Sequence, residues 1–321
     1  MNKPIQARED IAKLYHSPLL DLVYQAAQVH RENHTSTEIQ VCTLQSIKTG
    51  GCSEDCGYCA QSVHYDSKVE RQKMMDKDVV LELARESKEN GSTRFCMGSS
   101  GRNVKNAEDF TNILEMVKGV SGMGLEVCCT LGQLEPEQAT ALKEAGLYAY
   151  NHNLDTGKDY YAKVVSTRTY DDRLETIDTV AKAGISLCCG GILGMGESVE
   201  DRIDLLQTLT QLDPAPESVP VNVLVPIPGT PLEDKGEPVP TLELVRMIAT
   251  ARILLPTTMI RLAAGRESLD EAAQAFCFMA GANSIFSGDK LLTTPGPDAA
   301  MDGRLFEHLS LTPQKPYSRQ A

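Results

Sequence analysis

Eight short stretches rich in β-branched or other apolar residues recur along this chain, with amphipathic segments between them. They lie near 39–47 (IQVCTLQSI), 93–97 (TRFCM), 124–130 (GLEVCCT), 147–152 (LYAYNH), 185–193 (ISLCCGGIL), 219–225 (VPVNVLV), 258–263 (TMIRLA) and 282–286 (ANSIF). The segments between them, such as DKDVVLELARESKEN, EPEQATALKEAG, YDDRLETIDTVAKAG and SVEDRIDLLQTLTQL, carry apolar residues at helical spacing. Strands that alternate with helices pair in parallel, because each parallel connection needs a crossover long enough to hold a helix. Eight is the number that closes such a sheet into a (β/α)8 TIM-type barrel, and 321 residues are enough to build one.

Local signals support the helices. EPEQ places a proline in a first turn, and KEAG and AKAG put lysine and then glycine at helix ends. Residues 1–38 read as an N-terminal helical extension, with PLLDLVYQAAQVHREN at helical spacing. The barrel is expected over 39–308, and residues 309–321 (LSLTPQKPYSRQA) as a polar, loosely ordered C-terminal tail. VPIPGTPLEDKGEPVPT is a loop after the sixth strand rather than a domain linker, because the alternation resumes beyond it. A net charge of −13 argues against nucleic acid, whose phosphates call for a basic surface. No apolar run approaches a membrane span, and the N-terminus lacks the apolar centre of a signal peptide, so a cytoplasmic location is expected.

Ten cysteines are many for a reducing compartment. Three of them, Cys52, Cys56 and Cys59, fall within eight residues as C-x3-C-x2-C, directly after the first strand. A closed zinc site or an iron–sulfur cluster held wholly by protein wants four ligands. Three therefore imply a distant fourth ligand or a site that stays open. Further chemistry-bearing residues fall in or just after the other strands. These are Cys96, Cys128, the run Asn151, Asn153 and Asp155, then Cys188, Asn222, Arg261, and Thr293 with Thr294. In a closed barrel function gathers at the C-terminal strand ends, and buried polar groups need partners. Taken singly, Cys128 and Cys188 read as packing, Asn222 as a turn or cap, Arg261 as half of a buried ion pair, and His152 as hydrogen-bonded scaffold. One such residue from nearly every strand points instead to a polar, ligand-filled interior. Alternation puts at most one of Cys128/Cys129 and one of Cys188/Cys189 inside, and the spacing alone does not choose between them. GGILGMGES matches neither a P-loop nor a dinucleotide fingerprint.

The C-x3-C-x2-C loop, with Tyr58 before its last cysteine, resembles the radical S-adenosylmethionine superfamily. The resemblance implies a 4Fe–4S cluster on Cys52, Cys56 and Cys59, with S-adenosylmethionine chelating the fourth iron. SIKTGGCSEDCGYCAQS, GSTRFCMG, MGLEVCCTLG, YNHNLDT, SVPVNVLV, IRLAAGRE, AFCFMAGANSIF and KLLTTP together resemble the biotin synthase family, in the same order from about residue 15 to about 297. That family is a homodimeric barrel that inserts sulfur into dethiobiotin. The resemblance implies a second, 2Fe–2S cluster on Cys96, Cys128, Cys188 and Arg261, as the sulfur donor. It places Tyr58, Asn153, Asp155 and Arg173 at the cosubstrate, with Arg173 on its carboxylate and Asn153 and Asp155 on its ribose. Asn153 and Asn222 fall to the substrate's ureido end, Thr293 and Thr294 to its carboxylate tail, and Asn151 to the substrate as well. A reductant and iron–sulfur assembly proteins would serve the clusters. The rival readings are weaker. A lipoyl-type sulfur-inserting enzyme would want a second short-range cysteine triplet near the N-terminus, and an electron or cluster carrier has no use for so elaborate an interior.

Overall fold

The first strand, β1 (Glu38–Lys48), shows how the sequence sorts itself. Ile39, Val41 and Ile47 pack into the core between sheet and helices, while Cys42 joins a separate cluster inside the barrel. The same alternation holds in β2 (Arg94–Ser99), where Phe95 and Met97 face out and Cys96 faces in. It also separates the doubled cysteines. In β3 (Glu126–Thr130) Cys128 is interior and Cys129 exterior, and in β5 (Ser186–Cys188) Cys188 is interior while Cys189, which follows it, packs outside. Pleating alone produces this, since successive side chains leave opposite faces of a strand.

The computed structural model describes residues 7–234, 238–288, 291–294, 296 and 299–315. The remaining strands are β4 (Ala149–Asn151), β6 (Gly191–Leu193), β7 (Ser218–Val223), β8 (Met259–Leu262) and β9 (Ser284–Phe286). All pair in parallel, and β1 also pairs with β9, which closes the ring as an α/β barrel of the expected (β/α)8 type. Outside it run α1 (Arg8–Tyr15), α2 (Leu19–Asn33), α3 (Lys77–Glu89), α4 (Ala107–Gly122), α5 (Pro136–Ala145), α6 (Lys158–Val164), α7 (Tyr170–Lys182), α8 (Val199–Gln211), α9 (Thr241–Leu254), α10 (Glu271–Met279) and α11 (Ala299–Leu309). The expected punctuation is present. Glu135 and Gln138 form a capping box around Pro136, and Gly146 closes α5 at φ 105°, where a side chain would be strained. No helix among the described residues is long and apolar enough to cross a membrane.

The fifth strand is broken into β5 and β6, and the break builds part of the site. A Cβ on Gly190 would sit 2.0 Å from the Pro220 carbonyl oxygen, so only glycine allows β7 this close. The freed Gly190 carbonyl accepts from the Leu154 and Asp155 amides (3.1 and 3.2 Å), and its N–H donates to Asn153 Oδ1 (3.0 Å). Helices α1 and α2 pack on α8 and α9, where Arg8 bonds Asp204 (2.6 Å) and Glu200 (2.7 Å). The tail departs from expectation. Thr312–Pro313 (β10) pairs in parallel with Glu38 and Ile39, extending the sheet beyond the barrel, so this part of it is not loose. Unforeseen α11 leads into it, anchored by the Arg266–Asp302 ion pair (2.7 Å). Residues 1–6 of the expected extension and 316–321 of the tail lie outside the described residues.

Candidate active site

A single cavity of about 320 Å³ at the C-terminal end of the barrel is lined by every residue singled out above as a candidate ligand or contact. Its floor is made by Cys96, Cys128, Cys188 and Arg261, all almost fully buried. Register sets Cys96 beside Cys128 across β2 and β3, and Asn151 beside Cys188 across β4 and β5. The three thiols pack together in one buried cluster. Sharing a bond with Cys128 draws Cys188 down to about 6 despite burial, and Cys96 is likewise lowered, while Cys128 is raised. Arg261 donates from Nε to Ser284 Oγ (2.9 Å), from Nη2 to Gln40 Oε1 (3.1 Å) and from Nη1 to Cys188 Sγ (3.6 Å). Its ring neighbour is Phe286, 4.9 Å from the guanidinium carbon.

The ion pair that Arg261 suggests when taken singly is absent: no carboxylate among the described residues lies within salt-bridge distance of it. A buried cation without a carboxylate calls for another anion, and thiolates carrying an iron–sulfur cluster would supply one. The donor set fits the group. The opposite charges sit one layer further down, where Arg94 lies between Glu126 (2.8 Å) and Glu217 (2.8 Å), and Gln40 Nε2 donates to Glu126 (3.1 Å).

The walls carry the amides. Asn151 accepts from Thr130 Oγ1 (3.2 Å) and donates to Asn153 Oδ1 (3.2 Å) and Cys188 Sγ (3.2 Å). Asn222 is tied at both ends, donating to the Gly191 carbonyl (3.0 Å) and accepting from the Ala264 amide (3.1 Å). It therefore bridges β6 to the end of β8 as well as facing the cavity. His152 is buried, its ring Nε2 has no hydrogen-bond partner, and burial lowers its pKa well below the usual range, so the imidazole is neutral. The scaffold bond runs instead from its backbone amide to the Cys188 carbonyl (2.9 Å).

At the mouth, the chain leaves β1 through Gly50 and Gly51, both left-handed (φ 73° and 72°), and turns back as the cysteine loop. Gln61 holds the turn, its side chain accepting from the Gly50 amide (3.1 Å) and its carbonyl from the Cys52 amide (2.9 Å). Glu54 and Asp55, between the first two cysteines, clamp the loop to residues 166–168. Thr167 Oγ1 donates to Glu54 (2.6 Å), and the Ser166 and Thr167 amides donate to Asp55 (2.8 and 3.0 Å). Burial pushes the Cys56 thiol up and that of Cys59 up to about 12. An isolated thiolate is thus disfavoured here, and iron would supply the charge that stabilises it. No three His, Cys, Asp or Glu side chains among the described residues are gathered to hold a single metal ion.

Above the loop, Asp155, at φ 69°, accepts from Tyr58 (2.9 Å) and from Arg173, whose Nε donates to Tyr161 (2.9 Å). Thr293 and Thr294 are half-buried on the opposite side of the cavity. Three residues that spacing did not single out also belong to this neighbourhood. Arg168 lines the cavity with its buried Nε unpartnered, 3.8 Å from Glu54. Glu54 is almost fully buried under the loop. Cys42 lies beneath the floor, beside Cys96.

Comparison with known proteins agrees with this geometry. Residues 46–209 match the radical SAM superfamily, and residues 220–312 match the Biotin and Thiamin Synthesis associated domain. The chain is 59% identical over 310 residues to the biotin synthase of Cytophaga hutchinsonii, covering 97% of this chain and 92% of that one. It is 55% identical over 311 residues to the mitochondrial biotin synthase of Arabidopsis thaliana, covering 97% and 82%. Among solved structures, methylornithine synthase (PylB) superposes with a TM-score of 0.80 at 19% identity, over 98% of this chain and 94% of that one. The FeFe-hydrogenase maturase HydG from Carboxydothermus hydrogenoformans superposes with a TM-score of 0.80 at 16% identity, over 96% and 76%. Those two similarities concern the fold, whereas the sequence identities are far above what a shared barrel requires: the chain belongs to the biotin synthase family of the radical SAM superfamily.

Proposed function

We propose that this protein is a sulfurtransferase that converts dethiobiotin to biotin, using S-adenosylmethionine and two iron–sulfur clusters stacked in one cavity. The carrying observation is that the cysteine triplet at the mouth and the three thiols with Arg261 at the floor line the same cavity. When bound, the 4Fe–4S cluster supplies the electron that splits S-adenosylmethionine, and the 2Fe–2S cluster supplies the sulfur. Cys52, Cys56 and Cys59 hold the first, leaving one iron for the cosubstrate. Cys96, Cys128 and Cys188 hold the second, with Arg261 beside it. Tyr58 and Arg173 orient Asp155 toward the cosubstrate, whose carboxylate offers Arg173 a further charged partner. Asn153 faces both the cosubstrate's ribose and the substrate. Asn151 and Asn222 receive the ureido group, and Thr293 and Thr294 receive the carboxylate tail. The barrel walls exclude water from the reacting carbons.

All ten cysteines are free, which suits a reducing compartment such as the cytoplasm. A homodimer supplied by a reductant and by iron–sulfur assembly proteins completes the reading. Its test is an anaerobic assay of the reconstituted protein with dethiobiotin, S-adenosylmethionine and a reductant. Biotin and 5′-deoxyadenosine should both appear. Cleavage of the cosubstrate without biotin would overturn the substrate assignment, and no cleavage would overturn the radical chemistry.

Asn222 gives a narrower expectation. Asn222→Ala removes one ureido contact and also the bridge between Gly191 and Ala264. Dethiobiotin affinity should fall by roughly 1–3 kcal/mol, the usual cost of an unsatisfied buried group. Affinity for S-adenosylmethionine should change less, as calorimetry on the reconstituted protein would show. Unchanged dethiobiotin affinity would leave Asn222 a purely structural bridge.

A further inference from the structure

The barrel interior holds four thiols, not three. Cys42, Cys96, Cys128 and Cys188 form one buried cluster. Cys42 also shares both oxygen partners of Arg261. Its Sγ lies 3.5 Å from Gln40 Oε1 and 3.7 Å from Ser284 Oγ, the same two atoms that accept from Arg261 Nη2 and Nε. The two side chains thus meet at one pair of oxygen partners, Arg261 from the floor of the cavity and Cys42 from beneath it. Four thiolates are the ordinary protein ligand set of a 2Fe–2S cluster. A guanidinium, in contrast, has no lone pair until it loses a proton.

Resting on the proposed inner cluster, we propose that Cys42 is an alternative fourth ligand to it, able to replace Arg261 on iron. In the exchange the Fe–N bond breaks, an Fe–S bond forms, and the Cys42 proton passes to the released guanidine. Neither iron changes oxidation state. Cys42 lies beneath the floor rather than in it, so ligation requires its thiol to leave two long, weak contacts, one at 3.5 Å and one at 3.7 Å. Arg261, once released, remains a buried cation beside an anionic cluster, which is a stable arrangement for it.

The test uses the full chain, reconstituted anaerobically with iron and sulfide, as wild type, Cys42→Ala, Arg261→Ala and the double variant. Each is assayed for iron and sulfide content and by electron paramagnetic resonance of the reduced 2Fe–2S cluster. Each single variant should keep the inner cluster, because the other residue takes the fourth position. The double variant should hold at least about tenfold less, since loss of even an outer-layer partner costs metal sites 10–100-fold in affinity. With ¹⁵N-labelled arginine, nitrogen coupling to the cluster should vanish in Arg261→Ala and strengthen in Cys42→Ala. A double variant that keeps its 2Fe–2S content, or an Arg261→Ala variant that loses it while Cys42 is intact, would overturn the proposal. A wild type with no 2Fe–2S signal would instead overturn the inner-cluster reading itself. Cys42→Ser, which keeps a hydroxyl near Gln40 and Ser284, separates a packing defect from a lost ligand: it should behave like Cys42→Ala in cluster content while matching wild type in circular dichroism.

Discussion

Alanine at Cys52, Cys56 or Cys59 is expected to abolish reductive cleavage of S-adenosylmethionine and to leave the barrel folded. The loop's conformation does not depend on its thiols. Gln61 holds its base, Glu54 and Asp55 hold its side, and Gly50 and Gly51 make its turn. Only Cys56 of the three is fully buried, so the packing loss is small. Each thiolate, however, would bind a separate iron, and the other two thiolates of the loop would already be engaged. The measurement is 5′-deoxyadenosine formation by the reduced, reconstituted variants, with circular dichroism as the control for folding. Cys129→Ala and Cys189→Ala serve as comparisons, because both side chains pack against the helices and not into the cavity. They should keep cleavage. Full activity in a triplet variant would remove that residue from the ligand set.

The triplet could be read from the chain because its ligands are neighbours in sequence. The barrel could be read because its period is local: each strand and each capped helix announces itself within about ten residues. Even the choice between Cys128 and Cys129 follows from alternation once one interior residue of the strand is known, although the spacing alone left it open. What could not be read is whatever barrel closure brings together. Cys42 is 54 positions from Cys96, and Gln40 is 221 from Arg261; only β1 pairing with both β2 and β9 makes them neighbours. The ion pair that Arg261 suggests on its own is missing for the same reason. Its cavity-facing end meets thiols, while the carboxylates gather one layer below around Arg94. The tail misled in a different way. LSLTPQ is polar enough to look loose, yet Thr312 and Pro313 find the start of β1, a pairing that hydropathy does not encode.

That lower layer carries the other large effect. Arg94 is fully buried, with Glu126 and Glu217 each 2.8 Å away and the Tyr148 ring 5.1 Å from its guanidinium carbon. Removing one member of a buried ionic network leaves the rest desolvated, typically at a cost of about 3–5 kcal/mol. Arg94→Ala should therefore lower the stability of the reconstituted protein by roughly that amount, seen as a lower denaturant midpoint. The effect should reach the cavity as well. Glu126 accepts from Gln40, and Gln40 accepts from Arg261, so the network fixes where the floor guanidinium lies. Loss of Arg94 should broaden the 2Fe–2S resonance as Arg261 loses its fixed position. Neutralising the carboxylates as well, in Arg94→Met with Glu126→Gln and Glu217→Gln, should restore much of the stability, because an apolar or neutral replacement of a whole buried network is often nearly neutral. It should not restore the narrow resonance, since Gln40 would no longer face a charged acceptor. An Arg94→Ala protein within about 0.5 kcal/mol of wild type would show that water or relaxation already screens this layer, and that Arg261 is positioned by the thiols alone.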